Sequence, residues 1–144
     1  MELQAMRHVL TEATIENLAD LYEAERRIRA PDQVRSLVLM DALVGTETTT
    51  LALPTRFIRQ LGLKKVSKGR ASPYAGAHRG NVCEPVRLTI QGRFCSVDVI
   101  EVPDDAPVLI GQIPLVMLDL VVDVRGRRLT GNPAHGGEHV LELY

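Results

Sequence analysis

The feature that most restricts the fold is an apolar segment at residues 37–44, which only Asp41 interrupts. Apolar residues at both parities of a strand are typical of a strand covered on both faces, so we expect this one inside a sheet. A polar loop with the sequence GTETTT follows directly. The chain then reads LALPT, in which Pro54 and Thr55 start a short helix that Gly62 ends.

Short strands account for most of the remaining chain. Residues 8–15 alternate weakly between apolar and polar, and Asn17 then caps a short helix that Pro31 stops. A Gln91-Gly92 turn between two apolar segments predicts a hairpin. Strands are expected at residues 86–90, 93–102, 108–110 and 120–124, with one or two helical turns at 113–118. Together these elements predict one mainly β domain.

The two cysteines are predicted to be free and buried. When the hairpin is extended from its two-residue turn, Cys83 falls opposite Ile100 and Cys95 falls opposite Leu88. The offset between the two thiols is then about 17 Å along the strand, which is too long for a disulfide. The apolar parity of the second hairpin strand changes at Ile100, which predicts either a bulge or burial of both faces.

Composition argues against several classes of partner. The chain has 17 Lys and Arg against 18 Asp and Glu, and only 3 Tyr and 2 Phe, which is unlike a nucleic-acid-binding surface. The longest apolar region, residues 108–124, contains charged residues and is shorter than a bilayer span. The first ten residues contain no signal-peptide block. We therefore expect a cytoplasmic protein with neither nucleic-acid nor membrane partners.

One motif points towards a metal site, and its surroundings argue against that interpretation. His135, Glu138 and His139 match an HxxEH zinc signature, which places both imidazoles on one face of a helix. Pro133 and the glycines at 136–137 disfavour that helix. No metal and no other cofactor is therefore expected.

A larger constellation resembles a known family. The apolar strand, the threonine-rich loop, LALP and a helix ending in QLGL are followed much later by Leu109-Ile110-Gly111 and LDLVVD. This arrangement resembles the retroviral-type (retropepsin-like) aspartic peptidases, and in particular their bacterial single-domain members. The resemblance covers residues 8–133. It implies a single retropepsin-like domain over residues 1–144, folded as a closed β-barrel with one or two short helices.

Aligned on that family, the threonine-rich loop lacks the catalytic acid. Gly45 stands where the family has its aspartate, Thr46 matches the family's threonine, and Glu47 replaces the glycine that follows. Such peptidases set two carboxylates side by side across a two-fold axis, where they share a proton, activate a water and protonate the leaving amine. Gly45 has nothing to titrate, so the resemblance implies a degenerate motif.

Two acidic residues near the loop are possible substitutes. Asp41 is four residues before Gly45 in the sequence, about 13 Å along a strand, which is too far for it to take the missing role. Two copies of Glu47 that meet near a dimer axis would restore a pair of carboxylates, and this alternative stays open.

The resemblance also implies a homodimer, because one chain supplies only half of a peptide cleft. Tyr74 and Gly76 fall in the expected flap, within a polar segment at residues 64–80. Inside the terminal segment 134–144, residues 140–144 are expected to pair as a strand across the two-fold interface. The predicted function is a dimeric module that binds a peptide or partner protein without hydrolysis. The alternative is an active aspartic-type endopeptidase with a Glu47 dyad.

Overall fold

The computed structural model describes residues 9–45, 48–71 and 79–140. Over these ranges the chain is mainly β, as predicted, and the hairpin around Gln91 and Gly92 forms where the sequence places it. The strands are β1 Val9–Asn17, β2 Ser36–Val44, β3 Leu51–Pro54, β4 Lys65–Ala71, β5 Arg79–Ile90, β6 Arg93–Val102, β7 Leu109–Ile110, β8 Leu120–Asp123 and β9 Arg128–Gly131.

Short helical elements connect these strands. They are α1 Leu18–Glu25, α2 Thr55–Leu61 and α3 Gln112–Leu118, with single 3-10 turns at Pro31–Gln33 and Pro133–His135. Asn17 caps α1 as predicted, because its side chain accepts a hydrogen bond of 3.0 Å from the N–H of Asp20. The helix ends well before Pro31, contrary to the prediction, since Arg27 takes a left-handed backbone conformation (φ 62°). Gly62 ends α2 with φ 66°, as expected for a glycine C-cap.

Seven strands form one sheet in the order β1-β2-β7-β3-β6-β5-β4, and β1 also pairs with β5. β8 and β9 form a separate two-stranded sheet. The short strand β7 lies between β2 and β3, parallel to the first and antiparallel to the second. This insertion brings the loop after β2 next to the start of α3, since β7 leads directly into that helix.

The core lies between the sheet and the two helices α2 and α3. Its innermost side chains are apolar and inaccessible to solvent, as expected for the main source of stability in a chain of this size. Ile15, Leu51, Leu61, Leu88, Ile110 and Leu118 are among those fully buried.

The prediction that β2 is covered on both faces is wrong. Leu37 and Ala42 are buried, but Val38 and Met40 are 64% and 66% exposed. β2 pairs with β1 along its whole length and with β7 only at its last two residues, so no layer of the described chain covers the outer face. Continuous apolar character therefore marks a strand with one buried and one open face here.

The hairpin of β5 and β6 contains a register shift, and this corrects one cysteine position. Cys95 lies opposite its predicted partner, but Cys83 lies opposite Val99 rather than Ile100. The shift occurs where Pro85, which has no N–H to donate, interrupts β5. Both thiols are free and buried, as expected from their separation along the hairpin.

Candidate functional site

Main-chain hydrogen bonds fix the bend that begins after β2. The N–H of Gly45 donates to the carbonyl of Ile110 at 3.0 Å, and the N–H of Leu43 donates to the carbonyl of Val108 at the same distance. The chain therefore leaves β2 in register with β7, and Gly45 stands at the carboxyl end of this parallel pair.

The threonine-rich loop holds the first turn of α3. This helix has no side-chain cap, and its opening N–H groups would otherwise lack partners. Threonine carbonyls supply those partners. The N–H groups of Gln112, Ile113 and Gly111 donate to the carbonyls of Thr48, Thr49 and Thr50, at 3.0, 2.8 and 2.8 Å respectively. The loop and the helix therefore form one hydrogen-bonded unit.

The two glycines of this unit differ in what they tolerate. A Cβ at Gly111 would lie 2.4 Å from the Thr50 carbonyl oxygen and 2.6 Å from that of Thr48, both in rigid main chain. Among the described residues, a Cβ at Gly45 would meet the end of the Leu109 side chain, at 3.2 Å, and that of Thr48, at 3.8 Å. Glycine at 111 is thus required by close packing, whereas position 45 can accept a side chain.

Gly45 is the residue of the predicted site that lies within the described ranges. The other loop positions, Thr46 and Glu47, lie outside them, as do the predicted flap residues Tyr74 and Gly76. The strands that flank the flap are β4 and β5, and they pair as an antiparallel hairpin. The placement of the flap and of the acidic alternative therefore stays a prediction.

Asp41 stands apart from the bend. Its side chain is exposed on β2, at the point where the register between β1 and β2 shifts. An exposed carboxylate on the strand is consistent with the expectation that Asp41 does not replace the missing acid at position 45.

The most heavily hydrogen-bonded carboxylate near α3 is Asp119, which the sequence analysis did not select. Its Oδ2 lies 2.6 Å from Nδ1 of His135 and accepts the N–H of Val140 at 3.0 Å, while Oδ1 accepts from Asn132 Nδ2 at 3.1 Å. Burial opposes ionisation, but these hydrogen bonds outweigh it and lower the pKa of Asp119 to about 2. An aspartate inside the apolar region 108–124 is the sequence signal that marks it.

Asp119 acts as an anchor for the C-terminal segment and has no position at the Gly45 bend. It ends α3 in a left-handed conformation (φ 54°), which aspartate tolerates better than most residues. Val140 lies outside the strands of the described chain and its N–H is bonded to this carboxylate, while the pairing of residues 140–144 across a dimer interface stays a prediction. Residues 141–144 lie outside the described ranges.

Arg93 strengthens the same anchor from the sheet. Its Nη1 donates to the carbonyls of Leu118 and Asp119, at 3.0 and 2.8 Å, and its Nη2 donates to the carbonyl of Gly137. One guanidinium thus joins β6, the end of α3 and the C-terminal segment.

The histidines of the HxxEH signature have separate partners. His135 bonds to Asp119, whereas Nε2 of His139 lies 3.0 Å from the carbonyl of Met117. In residues 9–45, 48–71 and 79–140, no three metal-ligating side chains come together. Over the same ranges, no helix is long and apolar enough to span a membrane.

Two solved structures are similar to this chain. The retroviral protease-like domain of Ddi1 from Leishmania major matches with a TM-score of 0.50 at 15% identity, covering 86% of this chain and 89% of that chain. EIAV protease complexed with the inhibitor HBY-793 matches with a TM-score of 0.38 at 18% identity, covering 58% and 76% respectively. No family model and no curated protein matches the sequence. The likeness to the Ddi1 domain shows that this chain has a retroviral protease-like fold.

Proposed function

We propose that this chain is a degenerate aspartic-peptidase-like module, which forms a homodimer and binds a peptide or a partner protein without hydrolysing it. The observation that carries the proposal is Gly45 at the carboxyl end of the β2–β7 pair, where the resemblance expects an aspartate. Glycine offers no group to activate a water or to protonate a leaving amine. In this proposal the fold that binds the peptide is kept, and the aspartate that would hydrolyse it is replaced by Gly45.

The strand topology supports the retropepsin-like fold on which this proposal rests. Because β1 pairs with both β2 and β5, the strand order returns to its first strand, as a closed barrel of the retropepsin-like type requires. A single copy of the bend gives half of a two-fold site, so binding needs a second copy. Sedimentation equilibrium is expected to give twice the 15.9 kDa chain mass, and a monomer at all concentrations would contradict the dimer.

The lack of hydrolysis is tested directly with the purified protein. Incubation with a diverse peptide library between pH 4 and 7 is expected to leave every peptide intact. Pepstatin-sensitive cleavage would overturn the proposal and favour the active endopeptidase. In that case Glu47→Gln identifies the acid: loss of turnover assigns the chemistry to a Glu47 pair, and unchanged turnover removes Glu47 from the mechanism.

A restoration experiment tests the assignment of the bend. The double variant Gly45→Asp with Glu47→Gly is expected to gain pepstatin-sensitive cleavage, because position 45 has room for a side chain. The matched control, Gly45→Asn with Glu47→Gly, has the same shape without an acid and is expected to stay inactive. A folded, dimeric Asp variant that cleaves nothing would count against the registration of Gly45 on the catalytic position.

A further inference from the structure

A second surface feature lies beside the bend, and Thr49 and Thr50 of the threonine-rich loop line its edge. A trough of about 530 Å³ runs over the outer face of the β5–β6 hairpin, and Gly45 does not line it. Pro85, Ser96 and Asp98 contribute to its floor. Tyr22 of α1 forms one wall and Ile113 of α3 forms the other.

Strand alternation explains why the floor is polar. Cys95, Val97 and Val99 point into the core, so Ser96 and Asp98 between them point outward. Ile100 follows Ser96 and Asp98 on the same face of β6 and also lines the trough, and its side chain is apolar. The floor thus changes from polar to apolar along one strand.

The walls are unusually apolar for a solvent-facing surface. Ile113 is 53% exposed and Tyr22 is 41% exposed, and Met117 lies beside Ile113 on α3. Hydroxyl groups stand between these walls. Those of Thr49 and Ser96 have no hydrogen-bond partner in the part of the chain that the structure describes. Apolar walls with a few polar groups are typical of a ligand site, and the volume lies in the usual range of about 300–1,000 Å³.

The charge of the trough is set by Asp98. Its carboxylate is exposed and forms no ion pair within residues 9–45, 48–71 and 79–140, while its carbonyl accepts the Thr50 hydroxyl at 2.7 Å. No lysine or arginine is among the described residues that line the trough, and the guanidinium carbon of Arg26 lies 5.8 Å from the Tyr22 ring centre. The floor is therefore negative, and a cation in the ligand would complement it.

We propose that this trough binds an extended segment of a partner protein, in which a Lys or Arg side chain is flanked by apolar side chains. The cation would face Asp98, the flanking side chains would contact Tyr22 and Ile113, and the segment's main chain would reach the Thr49 and Ser96 hydroxyls. The residues that line the trough come from α1, the threonine-rich loop, the β5–β6 hairpin and α3, so an extended segment bound there would contact several elements at once. This site does not depend on chemistry at Gly45.

The test uses the intact protein and fluorescence anisotropy. The probe is a labelled pentapeptide, acetyl-Leu-Leu-Arg-Leu-Leu-amide, with matched peptides that carry Gln or Glu in place of Arg. We expect the Arg peptide to bind about fivefold more tightly than the Gln peptide, the scale of one exposed ion pair, and the difference to shrink in high salt. Equal binding of all three peptides would overturn the proposal.

Substitutions in the trough give the matched controls. Asp98→Lys is expected to reverse the preference, so that the Glu peptide binds most tightly. Ile113→Ser is expected to lower the affinity for all three peptides. Asp105→Lys makes the same charge change on the exposed loop between β6 and β7 and is expected to leave the order unchanged. A reversal by both lysine variants would indicate net charge alone and contradict a site at Asp98.

Amide chemical shifts locate the peptide on the protein. Shifts centred on Ser96, Asp98 and Ile113 support the trough, with circular dichroism showing that each variant is folded. Shifts centred on Val44 and Leu109 would place the peptide at the bend and overturn this proposal while supporting the proposed function. Absence of binding up to about 1 mM peptide would overturn the trough alone, since the bend is tested by cleavage and dimerisation.

Discussion

The carboxylate of Asp20 accepts three hydrogen bonds from Arg35: one from its N–H at 3.0 Å, one from Nε at 2.8 Å and one from Nη2 at 2.9 Å. Asp20 is 1% exposed, and Arg29 approaches its other side at 3.3 Å. These contacts tie α1 to the segment that enters β2. Arg29 has a structural role as well, since it forms ion pairs with Asp20 and Glu23.

Removing this carboxylate is expected to destabilise the fold. Asp20→Asn keeps the shape but leaves Arg35 without its anion, and the loss is expected to be about 2 kcal/mol, less than for a fully buried pair because the Arg35 side chain is 44% exposed. Urea unfolding at pH 7 measures it. The exposed Asp32→Asn is the control and is expected to change the free energy by at most about 0.5 kcal/mol. Equal stability of both variants would contradict a structural role for Asp20.

The hydrogen bonds of Asp119 are expected to make the free energy of unfolding depend on pH in the acidic range. Its folded pKa of about 2 is below its ordinary value of 3.8, so its contribution to stability is complete above about pH 4 and is lost as the pH falls towards 2. The difference in unfolding free energy between the native protein and Asp119→Asn should therefore shrink from pH 5 to pH 2.5. The pKa of Asp20 is also lowered, but Asp20 is present in both proteins, so its contribution cancels in the difference between their unfolding free energies. A constant difference would contradict this account.

The two glycines beside the bend are expected to respond differently to alanine. At Gly111 the added Cβ meets main-chain oxygens, so Gly111→Ala is expected to cost about 3 kcal/mol or more. The Cβ of Gly45→Ala meets, among the described residues, the side-chain ends of Leu109 and Thr48, and the change is expected to alter stability by less than about 1 kcal/mol. Thermal or urea unfolding compares them. A large loss at both positions would show that the bend itself excludes side chains.

The two thiols are expected to be unreactive in the folded protein. Burial raises the pKa of Cys83 and of Cys95 to about 11, so only about one thiol in a thousand is ionised at pH 8. Ellman's reagent should label neither thiol until urea is added. Ser96→Cys places an exposed thiol next to Cys95 as a fast-reacting control. Rapid native labelling of Cys83 or Cys95 would contradict their burial.

Local sequence signals predicted most of the secondary structure because each has a local physical cause. Asn17 caps α1 with its own side chain, Gly62 supplies a left-handed C-cap, and the Gln91-Gly92 turn closes the hairpin. The order of the short strands and helices around β7 followed from the same kind of signal. The retroviral protease-like fold was predicted from their combination.

Long-range relationships were predicted less well. The continuous apolar character of β2 did not reveal that Val38 and Met40 face outward, because exposure depends on which layers pack there. One proline shifted the partner of Cys83, since register depends on the accumulated length of both strands. The ties made by Asp119 and Arg93 join segments distant in sequence, and no local pattern encodes such pairs.

Residues 48–50 of the loop after β2 bind the start of α3 through main-chain hydrogen bonds, which need a carbonyl from one residue and an N–H from the other, and only proline lacks the N–H. These main-chain bonds do not depend on which side chains residues 48–50 carry, although Gly111 opposite them must stay a glycine. A lineage that substitutes those residues can lose or regain an acid there while the surrounding architecture persists, so catalytic competence and structural integrity are free to evolve separately in this protein.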